Sequence, residues 1–110
     1  MLNKIGFFQL DNLIQGRVPF LFINLGPEIL SWYSSLARQH LEKSLFVTTE
    51  DQILPNLQSQ NIAEHTAIVL LCSDGVRSSM ISIDLEKKGY TNVYVIDGGY
   101  QQLMTERSGS

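Results

Sequence analysis

The sequence predicts an α/β fold, with a mainly parallel central sheet and helices on both faces. Three observations lead there. Short apolar runs alternate with amphipathic stretches along the chain. The most hydrophobic run, AIVLL at residues 67–71, has no polar alternation, as expected of a parallel strand covered on both sides. The strand–helix–strand–helix spacing calls for crossover connections, and right-handed crossovers distribute helices over the two faces.

Residues 20–25 (FLFINL) are the first buried-strand candidate, opened by Pro19 and closed by Gly26 and Pro27. Residues 29–41 then place Ile29, Leu30, Tyr33, Leu36, Ala37 and Leu41 on one helical face. Residues 44–48 (SLFVT) read as a second strand. From Thr49 a helix begins, with Glu50 and Asp51 in a first turn whose dipole favours anions, and with Ile53, Leu54 and Leu57 turned inward. After the central run, residues 78–88 carry Met80, Ile81 and Leu85 at helical spacing. That helix ends in Lys87, Lys88 and Gly89: cations in the last turn, then a residue suited to a left-handed cap. Residues 93–96 form a further strand, closed by Asp97, Gly98 and Gly99, and a short helix follows over residues 101–104.

A chain of 110 residues, with 44% hydrophobic and 17% charged residues, suits one soluble globular domain. We expect that domain over residues 1–107, followed by a loose tail at 108–110. A net charge of −3 argues against a partner bound through its phosphate backbone, so no nucleic acid is expected. The lone cysteine excludes an internal disulfide and a multi-cysteine metal centre. Asp11, Asn12 and Gln15 interrupt any secretory core near Lys4, and no apolar run approaches the ~20 residues of a membrane span. The expectation is a cytoplasmic protein with a reduced thiol and no membrane partner.

Cys72 stands at the carboxyl end of the central run, about six residues before the expected helix. Ser73, Asp74, Gly75, Val76 and Arg77 lie between. Ligands of parallel sheets bind beyond strand carboxyl ends, and a tight loop entering a helix points backbone N–H groups at one spot. Gly75 permits the backbone geometry, and Arg77 adds positive charge. Together they should favour a nucleophilic thiolate at Cys72 over the thiol, lowering its pKa. A lone cysteine after an apolar strand is ordinarily a small buried hydrophobe. Gly75 and Arg77 at these offsets turn the reading toward chemistry.

The segment CSDGVRS, residues 72–78, resembles the active-site loop of the rhodanese superfamily, C-x-x-G-x-R-[ST]. KKGYTNVYVIDGGYQQL is similar to that family's closing stretch, and His40-Leu41 with Ser44-Leu45 to a worn form of its His-Ile-Pro-Gly-Ala segment. Departures include Asn24-Leu25-Gly26 where the family often has Asp-x-Arg, residues 28–39 in place of its usual Glu-rich helix, Leu103 where many members carry Trp, and Ser73-Asp74 where some hold a basic residue after the cysteine. The resemblance implies a rhodanese-like fold. It also implies a sulfurtransferase without cofactor, moving sulfane sulfur from thiosulfate, a persulfide or a polysulfide to a thiol, protein or cyanide acceptor through a Cys72 persulfide. Arg77 would orient an anionic donor or brace the loop. Ser73, Asp74, Gly75, Val76 and Ser78 would supply N–H groups to the outer sulfur. Ser78 would also cap the helix, with a hydrogen bond to sulfur as the alternative.

Related phosphatases use C-x5-R, whereas only four residues separate Cys72 from Arg77, a loop short enough for a single outer sulfur. The reading from another class is a non-catalytic interaction module that uses the sheet's carboxyl edge or the Trp32 region. Oligomeric state stays open. His40 and His65 read as structural and solvated, with no metal site; Asp84 and Glu86 read as a solvated face. Trp32 and Tyr33 read as core, and Gly98-Gly99 as a turn.

Overall fold

In the computed structural model, which describes residues 3–16, 19–26, 29–33 and 35–109, strands and helices alternate from end to end. The order is β1 (Asn3–Ile5), α1 (Phe7–Gln15), β2 (Leu21–Asn24), a single 3₁₀ turn (Leu30–Trp32), α2 (Ser35–Ser44), β3 (Leu45–Val47), α3 (Glu50–Ser59), β4 (Ile68–Leu71), α4 (Val76–Lys87), β5 (Val93–Ile96) and α5 (Gly99–Gly109). The five strands pair in parallel in the order β1-β5-β4-β2-β3, so the AIVLL run supplies the central strand.

The lack of alternation in β4 has its expected cause. Val69 and Leu71 pack on one face with Leu10 and Ile14 of α1, Ala37 and Leu41 of α2, and Leu103 of α5. Ile68 and Leu70 pack on the other with Ile53 and Leu57 of α3 and Ile81 and Leu85 of α4. All four β4 side chains have no exposed surface, and helices cover both faces of the sheet. Among the described residues no helix is long and apolar enough to cross a membrane.

Several boundaries differ from the sequence reading. The segment expected as one helix over 29–41 divides into the 3₁₀ turn and α2. Ile29 and Tyr33 reach the core from ahead of α2, while Leu36 points to solvent. The α4 helix begins at Val76 rather than 78, and its inward stripe is Ser78, Ile81, Ser82 and Leu85; Met80 is exposed. Its end follows the expected chemistry. Gly89 takes a φ of +101°, Gly89 N–H donates to Glu86 O (3.0 Å), and Tyr90 N–H donates to Leu85 O (3.1 Å). The last helix runs to Gly109, so Ser108 and Gly109 continue α5 where a loose tail was expected. Pro27 and Ser110, named above as a strand closer and a tail residue, lie outside the described residues.

The β1–α1 unit was not anticipated. Its signal is present: Phe7, Leu10 and Ile14 recur at helical spacing, and Leu10 and Ile14 are fully buried. The Gln9 side chain accepts the Gly6 N–H at 2.7 Å, closing the helix start. Three residues of edge strand are too few to show a period.

Candidate active site

Beyond β2 the chain moves outward to β3, and beyond β4 it moves the other way to β5. The carboxyl ends of β2 and β4 therefore flank the point where the winding reverses, the place where parallel sheets leave a crevice. A cavity of about 460 Å³ opens there, with Leu25 after β2, Cys72 after β4, Glu50 at the start of α3, and Arg77 and Met80 on α4 along its wall. Ser73 and Asp74 of the loop and Val76 at the start of α4 complete the described lining.

From the end of β4 into the first turn of α4 the chain sorts its residues into two sets. Cys72, Gly75 and Ser78 are buried; Ser73, Asp74, Val76 and Arg77 are exposed. The buried set meets at the sulfur. Gly75 N–H donates to Cys72 Sγ at 3.2 Å and Ser78 N–H at 3.4 Å. The Ser78 hydroxyl lies 3.3 Å from Sγ and donates to Gly75 O at 3.2 Å, a carbonyl that Ser79 Oγ also reaches at 2.7 Å. In the exposed set, Asp74 Oδ1 accepts the Val76 N–H at 3.0 Å, fixing the turn, and stands 4.0 Å from Sγ.

This turn needs glycine on both sides of a close backbone contact. Gly75 has φ +86° and Gly99 has φ +66°. A Cβ on Gly99 would meet Gly75 N at 2.5 Å and Cys72 O at 2.6 Å, both backbone atoms that cannot swing aside. The start of α5 also holds the loop's carbonyls: Tyr100 N–H donates to Cys72 O (2.8 Å) and Gln101 N–H to Ser73 O (3.1 Å). With those carbonyls turned to α5, the loop leaves N–H groups for the sulfur. Gly98-Gly99 thus supports the Cys72 loop as well as making the turn the sequence suggested. Nothing local in the sequence signals that pairing, because it joins residues about a quarter of the chain apart.

Two expected roles change. The N-cap of α4 is Gly75, and Ser78 lies inside the first turn. Its hydroxyl therefore faces the sulfur, the alternative held beside the capping role. Of the amides expected at the sulfur, those of Gly75 and Ser78 reach Sγ, whereas the Val76 N–H is taken by Asp74. Arg77 is exposed at the cavity wall and pairs with Glu50 across the mouth, Nε to Oε2 at 3.5 Å. Glu50 had been read only as a helix-start residue; no spacing rule links it to the loop after the next strand.

The other singled-out side chains lie elsewhere. His40 packs edge-on against Phe20 (centroids 6.3 Å apart), and His65 is exposed. Trp32 stacks on Tyr100 (5.5 Å) under Arg107 (4.7 Å), and Tyr33 is buried, the core role expected of the pair. Burial, then the nearby Asp11 carboxylate, push the Tyr33 phenol well above its usual range, with Arg107 opposing. At the Asp-x-Arg position of the resemblance, buried Asn24 turns its Oδ1 back to Gly26 N–H (2.8 Å), fixing the exit of β2 beside the cavity. Among the described residues, no three His, Cys, Asp or Glu side chains are grouped to hold a metal.

Comparison with known proteins agrees with this architecture. Residues 13–106 match the rhodanese-like domain family. A tRNA uridine(34) hydroxylase of Bdellovibrio bacteriovorus is 32% identical over 50 residues, which are 46% of this chain and 14% of that much longer protein. The human single-domain sulfurtransferase superposes with a TM-score of 0.63 at 13% identity, over 96% of this chain and 98% of its own. The polysulfide-sulfur transferase homodimer of Wolinella succinogenes gives 0.65 at 14% identity, over 96% and 75%.

Proposed function

The chain belongs to the rhodanese-like domain family, and from that premise we propose that it is a sulfurtransferase carrying sulfane sulfur on Cys72. One observation carries the reading: two backbone N–H groups, of Gly75 and Ser78, converge on Cys72 Sγ at the wall of an open cavity. A cysteine serving only to fill the core has no use for them.

In the first half-reaction the Cys72 thiolate attacks the donor's sulfane sulfur. The donor's sulfur–sulfur bond breaks, its electron pair leaves with sulfite or a thiolate, and Cys72 becomes Cys–S–S⁻. In the second, a cyanide or thiolate acceptor attacks the outer sulfur and the pair returns to Sγ. Negative charge sits on Sγ as nucleophile at the start and as leaving group at the end. The N–H groups of Gly75 and Ser78 are in place for it at both moments, as oxyanion-hole donors are for oxygen. The Ser78 hydroxyl, now spent on Gly75 O, can rotate to donate to Sγ once the thiol proton is gone.

Intact-protein mass spectrometry tests the reading. After incubation with thiosulfate or polysulfide, the protein should gain about 32 Da, the mass of one sulfur of a persulfide. Cyanide or dithiothreitol should remove the gain, and Cys72→Ser should not acquire it. Folded protein with a free thiol and no gain from either donor would instead support a non-catalytic interaction module.

A further inference from the structure

We infer that the mouth of the Cys72 cavity selects sulfur donors of low negative charge with an apolar body, and that Glu50 sets this preference. The inference rests on the sulfurtransferase reading and names its donor class. Among the described residues, three charged side chains line the cavity: Glu50, Asp74 and Arg77. The single cation is already engaged by Glu50 at 3.5 Å, and Asp74 holds its carboxylate 4.0 Å from the sulfur. These three described side chains together carry one net negative charge before the thiolate adds its own. A dianion such as thiosulfate must enter against that field with part of the Arg77 fork spent on Glu50. Besides Ser73 and Cys72, the described lining is apolar: Leu25, with Val76 and Met80, both more than 60% exposed on the first turns of α4. An organic group on the donor would cover these side chains and gain their burial.

Thiosulfonates isolate the two halves of this inference. Methanethiosulfonate is thiosulfate with one anionic oxygen replaced by methyl, which leaves a monoanion. Benzenethiosulfonate keeps that charge and enlarges the apolar body. The chemistry is common to all three. The Cys72 thiolate bonds to the sulfane sulfur, the donor's sulfur–sulfur bond breaks, and the pair leaves on sulfite or on the corresponding sulfinate. Each yields the same Cys72 persulfide, discharged by cyanide.

The experiment compares kcat/KM for the three donors in the wild-type chain, Glu50→Gln and Met80→Ser. Glu50 is exposed at the first position of α3, so Glu50→Gln should fold normally, which circular dichroism checks. A charge removed from the mouth acts twice as strongly on a dianion as on a monoanion. Glu50→Gln should therefore raise kcat/KM about tenfold for thiosulfate and about threefold for methanethiosulfonate. Met80→Ser should lower benzenethiosulfonate about threefold relative to methanethiosulfonate, through lost apolar contact. Sulfur loading with an unchanged thiosulfate-to-methanethiosulfonate ratio in Glu50→Gln would overturn the role of Glu50 and leave the sulfurtransferase reading standing. An unchanged ratio in Met80→Ser would overturn the apolar half. No loading of folded wild-type protein by any of the three donors would refute the sulfurtransferase reading, and this inference with it.

Discussion

The two halves of the sheet hold their shape by different means. On the side of β4 and β5, backbone conformation governs: Gly75, Gly89, Gly98 and Gly99 all take positive φ, and three of them lie in or against the Cys72 loop. There the chain passes so close to itself that a side chain has no room. On the side of β2 and β3, side chains govern. Ile29, Tyr33, Ala37 and Leu41 fill the space over β2, and a side-chain turn at Asn24 ends the strand. The one positive-φ glycine there, Gly26 at +148°, has open space where a Cβ would sit. A site that must aim N–H groups at one sulfur is built where the backbone has least freedom.

Alanine at the two kinds of glycine gives the sharpest test of that contrast. Gly99→Ala puts its methyl into Gly75 N and Cys72 O, so it should cost about 3 kcal/mol or more in urea unfolding and displace the loop, ending sulfur uptake. Gly26→Ala meets nothing within 4 Å and should cost only about 1 kcal/mol of backbone strain, with uptake retained. Equal losses at the two positions would dissolve the distinction.

A smaller effect probes the side held by packing. The Tyr33 hydroxyl is buried near the Asp11 carboxylate, and its phenol is pushed above the ordinary value of 10.0. Above pH 10 the unfolded chain releases that proton while the folded chain keeps it. Folding stability should then fall as pH rises through this range and be fully present below it. Tyr33→Phe removes the group, so its stability should decline less steeply than the wild type above pH 10 and lie within about 1 kcal/mol of it at neutral pH. Parallel declines for the two proteins would contradict the burial argument.

The same contrast explains what the sequence made legible. The four strands after β1, the central place of AIVLL, the Gly89 cap and the placement of Cys72 and Gly75 could all be read. Each depends on a run of buried residues or on a residue type that a local backbone conformation demands. Harder features depended on distant partners. The pinning of Cys72 O and Ser73 O by α5 and the Glu50–Arg77 pair come from the meeting of separate segments. The split of residues 29–41 was hidden for a related reason: Ile29 and Tyr33 are buried as a helical face predicts, yet they reach the core from outside α2.

The central claim is that the amides of Gly75 and Ser78 serve the charged sulfur of Cys72. Nitrogen-15 NMR of this 110-residue chain tests it most directly, by following amide resonances as the thiol is deprotonated and then loaded with sulfur. The amide protons of Gly75 and Ser78 should move downfield on deprotonation, and the largest changes on loading should fall within residues 72–78. A loop whose amides stay unmoved while Cys72 gains and loses sulfur would contradict the account.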